Sequence, residues 1–161
     1  MNDKNETSSG SSSAEPSKKP FWLRLSLTEM SASQWESLCD GCGLCCLTKL
    51  EDEDTGELVY TRVVCEWSDP ETSACSDYAN RSVNVPGCVA LTPERVAEFD
   101  WLPDTCGYRR VYQGRDLADW HPLKSGDRRS VKQRHRGLHG IRLVVDQPGL
   151  DYEDYVIPDP D

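Results

Sequence analysis

Four cysteines within eight residues, C-D-G-C-G-L-C-C at 39–46, constrain this chain more than any other feature it carries. A C-x2-C pair lets two thiolates reach one ion from a tight turn, and glycines between them permit the backbone conformations and close amide approach that polarise metal-bound sulfur. One C-x-x-C alone is ambiguous between metal binding and thiol redox chemistry. A knuckle of four cysteines followed by Cys65, Cys75, Cys88 and Cys106 points to metal, because loops of that length can fold back and complete a ligand set. Adjacent side chains rarely aim at one small tetrahedral ion, so Cys45 and Cys46 predict either ligands for more than one ion or a polynuclear centre.

Composition agrees that the fold needs such a staple. Only 37% of the 161 residues are apolar, against about 45–50% in an ordinary domain on a scale that also counts Gly. Residues 1–20, MNDKNETSSGSSSAEPSKKP, are Ser-rich with no apolar periodicity, and are expected to form a disordered tail ahead of a single domain over 21–161. The tail has neither the apolar segment of a secretory signal nor any run long enough to cross a membrane, so a cytoplasmic location is expected, where reductants keep thiols free for metal. Zinc is the first candidate, and iron, including an iron–sulfur cluster, is the second. Softness of the sulfur donors excludes magnesium and calcium.

The net charge of −10 falls entirely on the domain, because Lys4, Lys18 and Lys19 balance Asp3, Glu6 and Glu15 in the tail. An acidic domain is a poor binder of nucleic acid, whose affinity comes from phosphate neutralisation. A local exception is the basic stretch 128–142, with Arg128, Arg129, Lys132, Arg134, Arg136 and Arg142. It reads as a solvated face pairing with the protein's own carboxylates or, alternatively, as a site for an acidic partner.

Local signals predict a small α+β fold, largely irregular, with short helices and one β-hairpin organised around the cysteine-rich metal centre. Ser33-x-x-Glu36 matches a capping box and predicts a helix through Trp35 and Leu38 that ends at Gly41. LTKL and ELVYTRVV, separated by EDEDTG, predict the hairpin. Thr92-Pro93-Glu94 predicts a helix to about Phe99, and Ile141–Val145 a short strand. His121, in Trp120-His121-Pro122, is a candidate ligand as well as a candidate structural histidine; His135 and His139 would share a face if helical, although Gly137 opposes that helix. No nucleophile motif, Walker A or dinucleotide fingerprint is present, so an enzymatic role has no sequence support beyond a possible iron–sulfur centre.

The segments WESLCDGCGLCCLTKLEDEDTGELVYT, CSDY, LTPERVAEFDWLPDTCGYR and GRDLADWHPL resemble the YcgN-type bacterial cysteine-cluster proteins over roughly residues 20–157. That group is similar to the wider CxxCxxCC (YkgJ-like) class of zinc- or iron-chelating proteins. The resemblance implies chelation by Cys39, Cys42, Cys45 and Cys46, with Cys65, Cys75 and Cys88 at the later positions, and it implies no particular reaction. Where the wider class carries Arg-Pro before its last cysteine, this chain reads Arg81-Ser-Val-Asn-Val-Pro-Gly-Cys88.

Overall fold

The computed structural model of the chain describes residues 19–160; the expected disordered tail lies almost wholly outside them. Short helices and 3-10 turns surround one small sheet. Strand β1 (Leu47–Glu51) and strand β2 (Leu58–Val64) form the expected antiparallel hairpin, with a bulge between Leu47 and Lys49. The reversal is closed by Asp52, whose Oδ1 accepts from the Thr55 amide at 2.8 Å and the Asp54 amide at 3.0 Å, and by Gly56 at φ +70°. This is the Asx-type closure that lets a short acidic loop turn without further packing.

The sheet is larger than the sequence predicts. Strand β3, only Val144–Val145, joins β2 in parallel, so the order is β1-β2-β3. The five-residue strand expected at 141–145 is cut to two because Ile141 and Leu143 pack into an apolar cluster before the chain reaches the sheet. A parallel partner some 80 residues away leaves no local signature, so the pattern marked a strand here without its place in the sheet.

Helix α1 (Ala32–Glu36) also starts earlier than expected. Its capping box is Ser31 with Gln34: the Gln34 amide donates to Ser31 Oγ at 3.2 Å, and the Ser31 amide donates to Gln34 Oε1 at 2.9 Å. Ser33 and Glu36 do not form the box, and the Glu36 carboxylate instead accepts from the Tyr78 hydroxyl at 3.2 Å. The expected helix from Thr92 collapses to a turn and a 3-10 segment, Val96–Glu98. Val96 is its one buried residue, too little apolar surface to hold a longer helix against solvent.

Two separate apolar clusters make up the core. The first gathers Trp35 and Leu38 from the α1 region, Val96, Tyr108 and Val111 of α3 (Gly107–Tyr112), and Leu117. The Trp35 and Tyr108 rings pack at 4.5 Å between centroids, tilted by 47°. The second gathers Leu44, Leu47, Tyr60, Val64 and Leu138. Tyr60 ties the second cluster's strand to the approach to α3, its hydroxyl donating to the Trp101 carbonyl at 2.6 Å. Helix α2 (Arg81–Asn84) lies between the two later cysteine loops, while α4 (Pro122–Ser125) and α5 (Ser130–Gln133) lead into the basic stretch. Among the described residues no helix is long and apolar enough to cross a membrane.

His121 fastens this scaffold at its first cluster. It is fully buried; Nδ1 accepts from the Leu123 amide at 3.1 Å, capping α4, and Nε2 lies 3.0 Å from the Leu38 carbonyl. An acceptor at Nδ1 fixes the proton on Nε2, which therefore donates to Leu38. Burial pushes the imidazole below its ordinary value, so the folded state holds it neutral. An unfolded His121 binds a proton below about pH 6.5 and the folded one resists it, so stability is complete above that pH and falls as pH drops through it. The His121→Ala variant is expected to lose on the order of 2–4 kcal/mol in urea denaturation at pH 7.5, and to lose the wild-type decline between about pH 6.5 and 5.5. An unchanged urea midpoint would contradict this role.

Candidate metal centre

The knuckle is shaped by three backbone devices. Gly41 and Gly43 sit at φ +76° and +74°, a left-handed conformation that glycine adopts at no steric cost. Asp40, almost fully buried, accepts from the Cys42 amide through Oδ1 at 3.0 Å, closing the turn between Cys39 and Cys42. Leu44–Cys46 then form a 3-10 turn whose Cys46 amide donates to the Gly43 carbonyl at 2.9 Å, delivering the chain into β1.

Distant segments hold this knuckle by direct backbone contact. Gly107, the first residue of α3, lies against Leu38 so closely that a Cβ there would sit 2.0 Å from the Leu38 carbonyl oxygen. Their chain neighbours, Cys106 and Cys39, are thereby carried to the same end of the first apolar cluster's backbone. Gly137, at φ +65°, backs onto Cys42 in the same way, its Cβ position 2.2 Å from the Cys42 carbonyl oxygen, and the Leu138 amide donates to that oxygen at 2.9 Å. On the other side the Cys65 amide donates to the Cys46 carbonyl at 3.1 Å. The Ser68 amide donates to the Cys65 carbonyl at 2.9 Å, and Ser68 pairs with Cys75 across an isolated antiparallel bridge.

These contacts put Cys39, Cys45, Cys46, Cys65, Cys75 and Cys88 on the wall of one cavity of about 710 Å³. Cys42 packs on the second apolar cluster and Cys106 on the first. None of the eight is in a disulfide. Among the described residues no three Cys, His, Asp or Glu side chains stand close enough to hold an ion as arranged, so the structure assembles the thiols in one region without drawing a closed coordination shell.

Their electrostatics follow from this setting. Burial pushes the Cys39 thiol up to about 12, with the neighbouring Cys45 adding to it, even though Cys39 keeps part of its surface open to solvent. Burial likewise lifts Cys106 to about 11. Cys42 is raised by burial and then by the Asp40 charge. A side-chain hydrogen bond between the adjacent cysteines raises Cys45 and lowers Cys46. Cys88 is raised by burial, with Arg81 opposing. Lys49 is the cation nearest the knuckle: Nζ donates to the Leu47 carbonyl at 2.6 Å and the Cys45 carbonyl at 3.1 Å, and lies 4.2 Å above the Trp101 ring. Burial lowers Lys49, and the charges of Cys45 and Cys46 pull it back up.

The histidines stand apart from the thiols. His121 spends both ring nitrogens on backbone groups. His135, at φ +51°, breaks the chain after α5, so His135 and His139 do not share a helix; His139 Nε2 meets Ser73 Oγ at 3.1 Å. In the basic stretch Arg129 pairs with Asp127 at 3.1 Å, Lys132 with Glu71 at 3.7 Å, and Arg136 stacks on Trp120 at 4.8 Å, while Arg128 and Arg134 are exposed. Gly107, Gly137 and Asp40 were not foreseen as part of the site. A signal existed for Asp40, as an Asp two residues before the amide it caps, but none for the glycines, whose partners are distant in sequence.

Comparison with known proteins gives this arrangement a family. Residues 38–107 match the CxxCxxCC family, described as "Putative zinc- or iron-chelating domain", a span that opens one residue before Cys39 and closes one after Cys106. All eight cysteines therefore lie inside it. Across most of its length the chain is 53% identical to a UPF0260 protein of Sinorhizobium fredii over 139 residues, 86% of this chain and 90% of the relative. It is 51% identical to a UPF0260 protein of Pseudomonas savastanoi pv. phaseolicola over 140 residues, 86% of this chain and 94% of that one. The chain belongs to the UPF0260 family. No solved structure matches it.

The Gly137 contact can be tested against a matched control. Gly137→Ala places a methyl on the Cys42 carbonyl, whereas Gly114→Ala, at φ +71°, meets nothing within 4 Å. Both substitutions carry a left-handed strain of about 1–2 kcal/mol, and Gly137→Ala is expected to add roughly 1–3 kcal/mol for the clash. Thermal unfolding should separate the two, and only Gly137→Ala should lower bound metal; equal effects would deny the contact its role.

Proposed function

We propose that the chain is a thiolate metal-binding protein, for zinc or iron, in which the metal completes the fold and the role is accessory rather than catalytic. The observation that carries this reading is the place of the cysteines: Cys106 packs on one apolar cluster, Cys42 and Cys46 pack on the other, and the remaining thiols lie around the cavity between them. Two clusters of this size, with strands as short as Val144–Val145, leave the junction without an apolar core of its own. Metal–thiolate bonds there supply the cross-link that burial does not, and in such sites binding energy is folding energy.

The donor set fits the metals named. All eight candidates are sulfur, which suits zinc and iron and repels hard cations. Ser68, between Cys65 and Cys75 in the chain, has a buried hydroxyl with no hydrogen-bond partner among the described residues, and a metal-bound thiolate would be an acceptor for it. Cys39, Cys42, Cys45, Cys46, Cys65, Cys75, Cys88 and Cys106 would hold the metal. Lys49 and Arg81 would offset thiolate charge, and Asp40 and Gly137 would hold the knuckle in shape. A bound zinc or iron centre supplies strong, charge-neutralising cross-links between segments.

One observation favours a second reading, an iron–sulfur centre for electron transfer or catalysis. Six cysteines line one cavity, more thiols than a single tetrahedral ion takes. Colour separates the two readings. The full chain, purified without oxygen, is expected to carry stoichiometric zinc or iron by elemental analysis and to lose its cooperative thermal transition on chelation. Broad visible sulfur-to-iron absorption would move the assignment to the second reading. Retention of the circular dichroism spectrum and transition after complete metal removal would overturn the structural role.

A further inference from the structure

We propose that the exposed arginines of residues 128–142 form a docking surface for a carboxylate-rich segment of a partner protein. The surface lies on the outer face of the molecule and does not depend on the metal reading.

The stretch buries its backbone anchors and exposes its charge. Ser130 and Val131 are buried, and the Ser130 hydroxyl donates to the Asp127 carbonyl at 2.7 Å. Gly137 and Leu138 are buried in their turn, against Cys42 and the second apolar cluster. Around these two anchors Arg128, Arg129, Lys132, Arg134, Arg136 and Arg142 are all exposed. A chain fixed at two points restricts the backbone that carries the cations, which lowers the ordering cost when a partner binds.

The protein's own carboxylates leave most of this charge unanswered. Arg129 pairs with Asp127 and Lys132 with Glu71, but among the described residues no carboxylate pairs with Arg128, Arg134, Arg136 or Arg142. Several cations elsewhere do find one: Arg95 meets Glu98, Arg110 and Arg115 meet Asp104, and Lys124 meets Asp116 and Asp119. Four arginines without a carboxylate are therefore unexpected in a chain with 28 Asp and Glu against 18 Lys and Arg. The sequence keeps acid away from them, with no Asp or Glu between 128 and 142. Arg136 is held over the Trp120 ring at 4.8 Å, a contact that steadies the guanidinium without neutralising it.

The chemistry of the surface selects its occupant. Five of the six cations are arginine, whose planar fork takes a carboxylate or a phosphate in two parallel hydrogen bonds. Two features favour a short acidic segment over nucleic acid. The stretch contains no Phe, Tyr or Trp on which bases could stack. A nucleic acid also carries its charge well past the patch, into the field of a chain whose net charge is −10. An acidic segment ends where the patch ends. A second copy of the chain is disfavoured by the same charge, since two such molecules repel on approach.

The test is fluorescence anisotropy of the full-length protein with a labelled peptide of about fifteen residues that alternates Glu and Gly. Binding is expected at about 50 mM salt and should weaken at least about tenfold by about 300 mM, as screening requires. Arg128→Glu with Arg134→Glu should weaken it at least about tenfold, because both put like charge against the peptide. Lys19→Glu with Arg24→Glu makes the same change in net charge at exposed positions outside the stretch, and should leave binding within about twofold. Equal losses in the two double variants, or no binding at low salt, would overturn the docking surface. Tighter binding of an oligouridine of matched charge would overturn it in favour of nucleic acid. Self-association in sedimentation velocity that Arg128→Glu with Arg134→Glu removes would overturn it in favour of a second copy. Should that double variant fail to fold by circular dichroism, Arg134→Gln decides, with an expected loss of about two- to fivefold and no loss counting against the surface. Metal content, measured on each protein, should stay at the wild-type value. A wild type that holds no metal but binds the peptide would overturn the proposed function and leave this surface standing.

Discussion

Crowding thiols together without a counter-charge is unfavourable to the thiolate, and this molecule is arranged around that constraint. Burial above all holds the Cys39 thiol up to about 12 and the Cys106 thiol up to about 11, so these two sulfurs resist ionisation on their own. Cys106 packs on the first apolar cluster, Cys42 and Cys46 pack on the second, and six of the eight cysteines line one cavity. A cation of charge two or more reverses the balance, because the repulsion that disfavours isolated thiolates becomes the ligand field that holds it. On the function proposed above, the same groups would cross-link the fold once a metal is bound.

The scaffold around them is built for close backbone approach rather than for side-chain packing. Gly107 against Leu38 and Gly137 against Cys42 each exclude a Cβ. His121 then links the carbonyl of Leu38 to the cap of α4, and the Leu138 amide holds the carbonyl of Cys42. Each contact acts on the residue next to a cysteine or on the cysteine backbone itself. In this way segments with little regular structure hold a knuckle whose own sequence, rich in glycine, would otherwise be loose.

Much of the candidate site was legible because its signals are local. The C-x2-C-x2-C-C spacing marks thiols that the fold gathers on one cavity wall, and the EDEDTG turn marks the hairpin. Local signals fail where several match one pattern. Ser31-x-x-Gln34 and Ser33-x-x-Glu36 both satisfy the capping rule, and the choice is made by Tyr78, 42 residues away, which engages Glu36. The parallel pairing of Val144–Val145 with β2 and the glycine contacts share that character: they are set by partners the sequence does not mark. The basic stretch is the clearest case. Its six cations are exposed as the charge pattern predicts, but the pattern does not mark Gly137 and Leu138 between them, which are buried against Cys42 and the second apolar cluster.

The distribution of charge around the thiols bears on what the centre can be. Four thiolates on a divalent ion leave a net charge of −2, which must be offset inside a chain that already carries −10. Lys49 and Arg81 are the cations on the cavity wall, and both are held by aromatic rings, Lys49 over Trp101 and Arg81 over Tyr78 at 4.0 Å. A lysine whose burial already lowers its affinity for the proton is kept charged by the anions beside it, so Lys49 and the thiolates of Cys45 and Cys46 stabilise one another. Lys49 donates to the Cys45 carbonyl and so sets a cation beside the Cys45–Cys46 pair of an acidic chain.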